Sequence, residues 1–456
     1  MTARSAFYDN EVDDYTQDHL QLVWSQRYNK HWNSSVSLNY THGRGYFEQY
    51  REDADLAFHE IGPIVVGDET IETGDLIRRR WLNNNFYAVN ANLNYKNDQW
   101  DISNGAFYSY YGGDHFGEVI WARFAGDSEI GDRYYDGNGD KNEFTVFSKG
   151  THKVNDQWSV FLDLQGRFVS YRTSGLNSDK ALFNTAETYS FFNPKAGVSF
   201  TLNEGNQFYF SYGRASREPN RNDFEQGVFT AEKLDDFELG WRFASKGVKV
   251  NSNLYYMDYT DQLVLTGALD DVGAPIRQTS GSSYRLGLEV DAEVAITNGL
   301  LVRPNVAISE NKNRDFVTSR DGSLVNLGNT NISFSPSVIA GNIIEYRPMK
   351  GLHLAFLSKY VGEQYMGNID SEVSKLDAYF TSDLNINYTI ENVLFAKQVV
   401  LQGLVNNVFN TEYVSNGYFF TFDDDFSNPP LVTTVEGAGF YPQATINFLV
   451  GATILF

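Results

Sequence analysis

Thr445 to Phe456 reads T-I-N-F-L-V-G-A-T-I-L-F and ends on an aromatic residue. Side chains of an extended strand alternate between two faces. Ile446, Phe448, Val450, Ala452, Ile454 and Phe456 therefore share one face, with Asn447, Gly451 and Thr453 on the other. One face suits hydrocarbon and the other tolerates water, which is the pattern of a transmembrane β-strand. The alternation recurs upstream. Tyr87, Val89, Ala91, Leu93 and Tyr95 oppose Asn90, Asn92 and Asn94, and Val160, Leu162, Leu164 and Phe168 oppose Asp163, Gln165 and Arg167. Leu384, Ile386, Tyr388 and Ile390 oppose Asp383, Asn385 and Asn387. The longest run, Tyr284 to Ile296, opposes its apolar set to Arg285, Glu289, Asp291 and Glu293. Unpaired charges cost several kcal/mol each in a dry interior. A small sandwich is thereby excluded, and a wide, water-lined antiparallel β-barrel is favoured.

Composition agrees. The 456 residues carry 36 Lys+Arg against 58 Asp+Glu, a net charge of -22, which argues against nucleic acid as a partner because phosphate binding needs a basic surface. No apolar run reaches the roughly 18–20 residues of a membrane-spanning helix. Mean hydropathy is negative, as in a soluble β-protein. Barrel strands, however, expose only alternate residues to lipid and give a weak signal. Aromatics make up 15% of the chain, with 29 Tyr and 34 Phe, a load suited to interfacial girdles. Cysteine is absent, so disulfide frameworks and thiolate metal sites are excluded. The N-terminus, MTARSAFYDNEVDDY, has no signal-peptide pattern, and for an exported protein the signal is expected upstream.

Tight turns are expected at Asn29-Lys30, Asn97-Asp98, Asn155-Asp156, Asn203-Glu204-Gly205, Lys246-Gly247, Asn298-Gly299 and Arg347-Pro348. Between them, long polar loops are expected roughly at 43–82, 112–140, 173–190, 214–234, 266–281, 312–330, 362–376 and 411–440. Short turns on one side and long loops on the other give the polarity of an outer-membrane barrel. The repeated Asn-Asp-Gln-Trp at 97–100 and 155–158 reads as one device used twice, a turn that places Trp100 or Trp158 at the membrane interface. This scheme yields about 17 strands, an odd number where bacterial single-chain barrels have an even one. The expectation is a piece of a larger barrel, with residues 1–18 as the second half of an external loop and two unpaired sheet edges.

Specific motifs then narrow the class. Asn193 to Phe224, NPKAGVSFTLNEGNQFYFSYGRASREPNRNDF, is followed by Ala231-Glu232-Lys233-Leu234-Asp235-Asp236-Phe237-Glu238-Leu239-Gly240. Near the end stand Leu404-Val405-Asn406-Asn407-Val408-Phe409-Asn410-Thr411-Glu412-Tyr413 and Phe440-Tyr441-Pro442. Together these resemble the barrel signatures of TonB-dependent outer-membrane receptors, over essentially the whole chain. The resemblance implies one barrel domain over residues 1–456, the last 17 or so strands of a 22-stranded barrel. It also implies that the plug and the TonB-binding segment are missing. The implied activity is TonB-dependent uptake of a scarce nutrient, most often a ferric siderophore, through the outer membrane. Implied partners are TonB through the missing part, a small-molecule metal chelate, outer-membrane lipid and lipopolysaccharide, and the barrel-assembly machinery, which would read Phe456 as its signal. A passive porin-like channel remains open as an alternative, as do cobalamin, haem or oligosaccharide receptors of the same family. An outer-membrane hydrolase is a further rival, although no Gly-x-Ser-x-Gly, His-Glu-x-x-His or phosphate-binding loop is present.

Candidate ligand contacts are Arg214, Arg217 and Arg221, crowded at the start of one loop as an anion-attracting vestibule, or else tied into ion pairs with Glu218, Asp223 and Glu225. Asp136, Asn138 and Asp140 place oxygens at alternate positions, as a structural calcium loop does. Lys141 and Phe147 depart from that pattern, so a solvated acidic turn is the rival, and no other cofactor is expected. Asp423-Asp424-Asp425 could meet divalent ions bridging lipopolysaccharide. The seven histidines lack metal-ligand spacing, although His42 and His59 fall in one expected loop. Gly197, Gly240 and Gly287 fall on lumen faces, where a plug or neighbouring backbone approaches closely or strand crowding is relieved. Asn406, Asn407 and Asn410 read as turn-bonding residues.

Overall fold

The structure is a computed structural model, and it describes residues 8, 11–269, 275–393 and 395–456. It has two compact units: Met1–Thr151 with Asp163–Asn193, and His152–Leu162 with Pro194–Phe456. The strands of the first segment are β1 (Val12–Arg27), β2 (Trp32–Asp55), β3 (Thr73–Lys96), β4 (Trp100–Ala122), β5 (Asp132–Lys153), β6 (Trp158–Leu176) and β7 (Leu182–Phe192). Then come β8 (Lys195–Asn203), β9 (Asn206–Arg217), β10 (Glu232–Ser245), β11 (Val248–Thr260), β12 (Ser282–Thr297) and β13 (Leu300–Asn313). The last are β14 (Val338–Met349), β15 (Leu352–Val361), β16 (Tyr379–Val393), β17 (Ala396–Asn406) and β18 (Asn447–Leu455). Asn193-Pro194 separates β7 from β8, because proline has no N–H to give the ladder. Counting these two as one interrupted line, seventeen long antiparallel strands are present among the described residues.

Register explains the alternation. In the second unit Val198, Phe210, Leu239, Leu254, Leu288, Ile308 and Val338 stand directly opposite one another across β8 to β14. One position along, the row is Ser211, Glu238, Tyr255, Gly287 and Ser309. Leu22, Leu38, Val89 and Tyr108 form the same kind of apolar row in the first unit, all exposed. A slip of one residue in any pairing would turn charge toward lipid, so the pattern fixes the register. Three of the four charged residues of the Tyr284–Ile296 run have partners on the polar face. Arg285 donates to Asn311 and Ser335, Asp291 accepts from Asn251 at 2.8 Å, and Glu293 pairs with Lys249 and Arg303, each at 3.0 Å. Among the described residues β1 pairs only with β2 and β18 only with β17, and both strands are exposed throughout.

The short turns lie where expected, with one shift. Pro348 is still in β14, and the turn is made by Lys350-Gly351, with Gly351 at φ 83. Asn97 Oδ1 accepts the amides of Gln99 (2.9 Å) and Trp100 (2.7 Å), and Asn155 Oδ1 accepts those of Gln157 and Trp158, both at 2.9 Å. A third copy, missed in the sequence because its middle residues differ, is Asn29-Lys30-His31-Trp32, where Asn29 Oδ1 accepts His31 and Trp32 amides at 2.8 and 3.0 Å. The device is thus Asn-x-x-Trp.

The long loops are shorter than expected, and most contain structure. The 43–82 stretch is mainly strand, since β2 and β3 pair continuously from Trp32↔Tyr95 to Arg51↔Leu76 and leave only 56–72 between them. Residues 112–122 and 132–140 likewise belong to β4 and β5. Outside the bilayer both faces of a strand meet water, so the two-residue alternation fades while the backbone ladder continues. Val12 opens β1, so residues 12–18 are strand rather than loop. Apolar cores sit at the loop ends: Leu56, Ile61, Leu76, Val119, Tyr134 and Tyr135 in the first unit, and Met366, Leu376 and Phe419 in the second.

Candidate functional site

Each arginine of the expected vestibule has a carboxylate partner. Arg214, in β9, makes two parallel bonds to Asp235 at 2.8 Å each. Arg217, at the end of β9, donates to Glu232 at 3.1 Å and to the Leu263 carbonyl at 3.5 Å. Arg221 opens a short helix, α1 (Arg221–Glu225), and pairs one turn along with Glu225 at 2.8 Å. Of the partners expected in sequence Glu225 is taken by Arg221; strand pairing supplies Asp235 and Glu232, which sequence distance concealed. The side chains of Arg214 and Arg217 stay 42% and 48% exposed.

Asp223 serves α1 and the neighbouring hairpin together. Asn220 and Asp223 form a reciprocal capping box, each side chain accepting the other's amide, at 3.0 and 2.8 Å. The same carboxylate, 2% exposed, takes both donors of Arg277 at 2.9 and 2.7 Å. Arg277 lies on Pro275–Thr279, which pairs with Leu263–Leu269. A second knot lies beside it. Asn368 Oδ1 accepts from the Ser333 amide (2.9 Å) and Asn313 (3.3 Å), while its Nδ2 and the Ser333 hydroxyl both donate to the Leu265 carbonyl. A further pair of hairpins meets where Asp423 accepts from Ser319 (2.9 Å), Thr434 (2.6 Å) and the Gly322 amide (3.1 Å). Those hydroxyls and amides hold the Asp423 carboxyl below its usual value. The loops of this unit are therefore bonded to one another in a fixed arrangement.

The calcium-loop expectation needs correction in its geometry. Asp136, Asn138 and Asp140 lie within β5 rather than in a turn, so they project as a spaced row along a strand. Asp136 accepts from Arg133 (2.7 Å), Asn138 from Ser174 (2.9 Å) and Asp140 from Tyr110 (2.6 Å). Among the described residues no group of three or more His, Asp or Glu is placed to hold a metal ion. His42 sits in β2 against Asn85, whereas His59 is buried and donates to the Asp55 carbonyl at 2.8 Å. Burial pushes the His59 imidazole below its ordinary value. Asn407 Nδ2 donates to the Thr411 and Ala444 carbonyls, and Asn410 accepts the Ile446 amide, so these residues bind the turn ahead of β18. Phe456 ends that strand's line and stacks on Phe395 at 5.7 Å.

The lumen-face glycines make room for rings. A Cβ on Gly240 would lie 1.9 Å from Tyr209, and one on Gly287 would lie 2.4 Å from Tyr255, each tyrosine being the glycine's direct cross-strand partner. At Gly197 the nearest group is the Phe210 carbonyl, 3.2 Å away. Glu238, Asn253, Arg285 and Glu289, together with Met257 and Phe334, line a cavity of about 350 Å³ of mixed polarity.

Comparison with known proteins follows the same lines. Residues 2–408 match the family described as TonB dependent receptor-like, beta-barrel. Over 268 residues the chain is 23% identical to the ferrichrome outer membrane transporter/phage receptor of Escherichia coli K12, covering 57% of this chain and 34% of that protein. The ferric-catecholate import receptor Fiu of the same organism superposes with a TM-score of 0.67 at 15% identity, over 98% of this chain and 65% of that one. The siderophore receptor PiuA of Acinetobacter baumannii gives 0.65 at 13%, over 97% and 65%. The chain thus spans less than two thirds of the length of these relatives. It belongs to the TonB-dependent receptor β-barrel family and is an antiparallel β-barrel protein of the outer membrane.

Proposed function

We propose that this chain is the barrel part of a receptor that takes up a ferric siderophore, driven by TonB through a segment outside the sequence described. The observation that carries this reading is the family match over residues 2–408, alongside relatives named for ferrichrome and ferric-catecholate import. The bonded loops of the second unit support it, because a receptor site must be held before ligand arrives. Arg217 is the first contact, with Arg214 and Arg221 beside it. Its guanidinium is already paired to Glu232 but half exposed, so an anionic chelate would compete with that carboxylate for an open edge.

Uptake of an iron-labelled siderophore by cells carrying the full-length receptor tests the reading. Collapse of the proton gradient should abolish uptake; persistence at the original rate would establish a passive channel instead. In the same receptor Arg217→Ala should weaken chelate affinity about fivefold, the scale of an exposed ion pair. Unchanged affinity would remove Arg217 from the site.

A further inference from the structure

The hairpin Val414–Asp424 with Thr433–Pro442 has two unlike faces. On one, Phe419 packs with Met366 and Leu376, Glu436 accepts from Ser371, and Asp423 and Thr434 bond Ser319 and Asp321. Neighbouring loops engage that face at these positions, while Phe440 on the same face stays 48% exposed. The other carries Tyr441, Tyr418, Phe420 and Phe422. Tyr418 to Phe420 and Phe420 to Phe422 are each 6.4 Å between ring centroids, with planes 14° and 13° apart, and Tyr418 to Tyr441 is 6.1 Å. Two glycines floor the row. A Cβ on Gly439 would lie 2.3 Å from the Tyr418 ring, and one on Gly437 would lie 2.5 Å from Phe420. The far end of each ring thus fills the place of a side chain on the opposite strand, and the rings lie across the sheet. Phe420 is 40% exposed, and Phe422 and Tyr441 are 44% exposed.

We propose that this aromatic strip is a stacking platform for the sugar rings of an outer-leaflet glycolipid. Two features identify the occupant. The strip is continuous with the membrane interface, since Tyr441-Pro442 leads within four residues to Ile446 and the lipid face of β18. It therefore starts where the embedded strand ends and runs outward, at the level of lipid-attached saccharide rather than of acyl chains. Its chemistry is also mixed. The Tyr418 and Tyr441 hydroxyls, Asp424 and Thr433 share the face with the rings, by the strand alternation. A pyranose offers a matching pair of surfaces: a C–H face that lies against the electron-rich face of an aromatic ring, and hydroxyls directed outward to polar edges. An acyl chain would leave those hydroxyls unmatched.

The test uses the intact chain in detergent, titrated with core oligosaccharide freed of its lipid from lipopolysaccharide. Binding is expected for the parent, and about tenfold weaker binding for Phe420→Leu/Phe422→Leu, which keeps apolar volume but removes two ring faces. Phe426→Leu, at the hairpin tip and off the strip, should bind as the parent does. Phe422→Leu alone faces Val435 rather than a glycine, leaves the glycine floor untouched, and should bind severalfold more weakly, so the measurement survives a double variant that fails to fold. No oligosaccharide binding by the parent, or equal binding by parent and variants, overturns the proposal. Binding of whole lipopolysaccharide alone, indifferent to these substitutions, also overturns it and assigns the contact to acyl chains or phosphate.

Discussion

At the scale of single residues, the glycines of the polar face act through their neighbours. Gly240 and Gly287 were legible as lumen-facing from parity, but what approaches them was not. The partners, Tyr209 and Tyr255, lie more than thirty residues away in sequence and meet the glycines only through register. Each tyrosine lies over its glycine because an L-residue there would hold a Cβ inside the ring. Gly240→Val should lower stability by about 1–3 kcal/mol through overpacking. Adding Tyr209→Ala should recover much of that loss, since the clash needs both partners. Thermal melts of the two single variants and the double variant check this. Simple additivity would show that the ring and the glycine are not coupled.

At the scale of elements, the loops are held by buried ionic and hydroxyl contacts that no local pattern announces. The alternating strands were legible because lipid on one face and water on the other impose a two-residue period. Beyond the bilayer that period lapses, so β2 to β5 ran on unseen, and α1 was not foreseen. Arg277 and Asp223 are separated by 54 residues, and only folding shows that they pair. Arg277→Met should leave a buried carboxylate with only the Asn220 amide and no cation, at a cost of about 3–5 kcal/mol, spent locally. Hydrogen exchange across α1 and Pro275–Thr279 should then rise sharply while β9 to β12 stay protected. Unchanged exchange in α1 would show that the pair holds nothing.

The junction at Asp423 should respond to acid. Its folded carboxyl binds a proton less readily than in the unfolded chain, so its contribution is whole above the ordinary carboxylate value, about pH 4, and is lost as pH falls through the lowered folded value. Protection of the Gly322 and Thr434 amides from hydrogen exchange, corrected for the intrinsic pH dependence of exchange, should therefore fall below about pH 4. Asp423→Asn should loosen the same contact at neutral pH. Protection already lost as pH falls from neutrality would assign the effect elsewhere, His59 being a buried imidazole in the other unit.

At the scale of the whole molecule, one rule governs most of the long strands: apolar rows meet lipid and polar rows line water, the row Asn342, Ser358 and Ser382 across β14 to β16 being an exception. Family, compartment and function all depend on it. The chain contains no cysteine, so single cysteines report without background. Leu239→Cys, Leu254→Cys and Leu288→Cys, each carrying a fluorophore, should be strongly quenched by brominated lipid in a reconstituted bilayer. Glu238→Cys, Asn253→Cys and Glu289→Cys, one position away on the same strands, should be quenched severalfold less. Equal quenching of the two sets, or stronger quenching of the second, would contradict the assignment of faces and with it the barrel, the membrane address and the receptor.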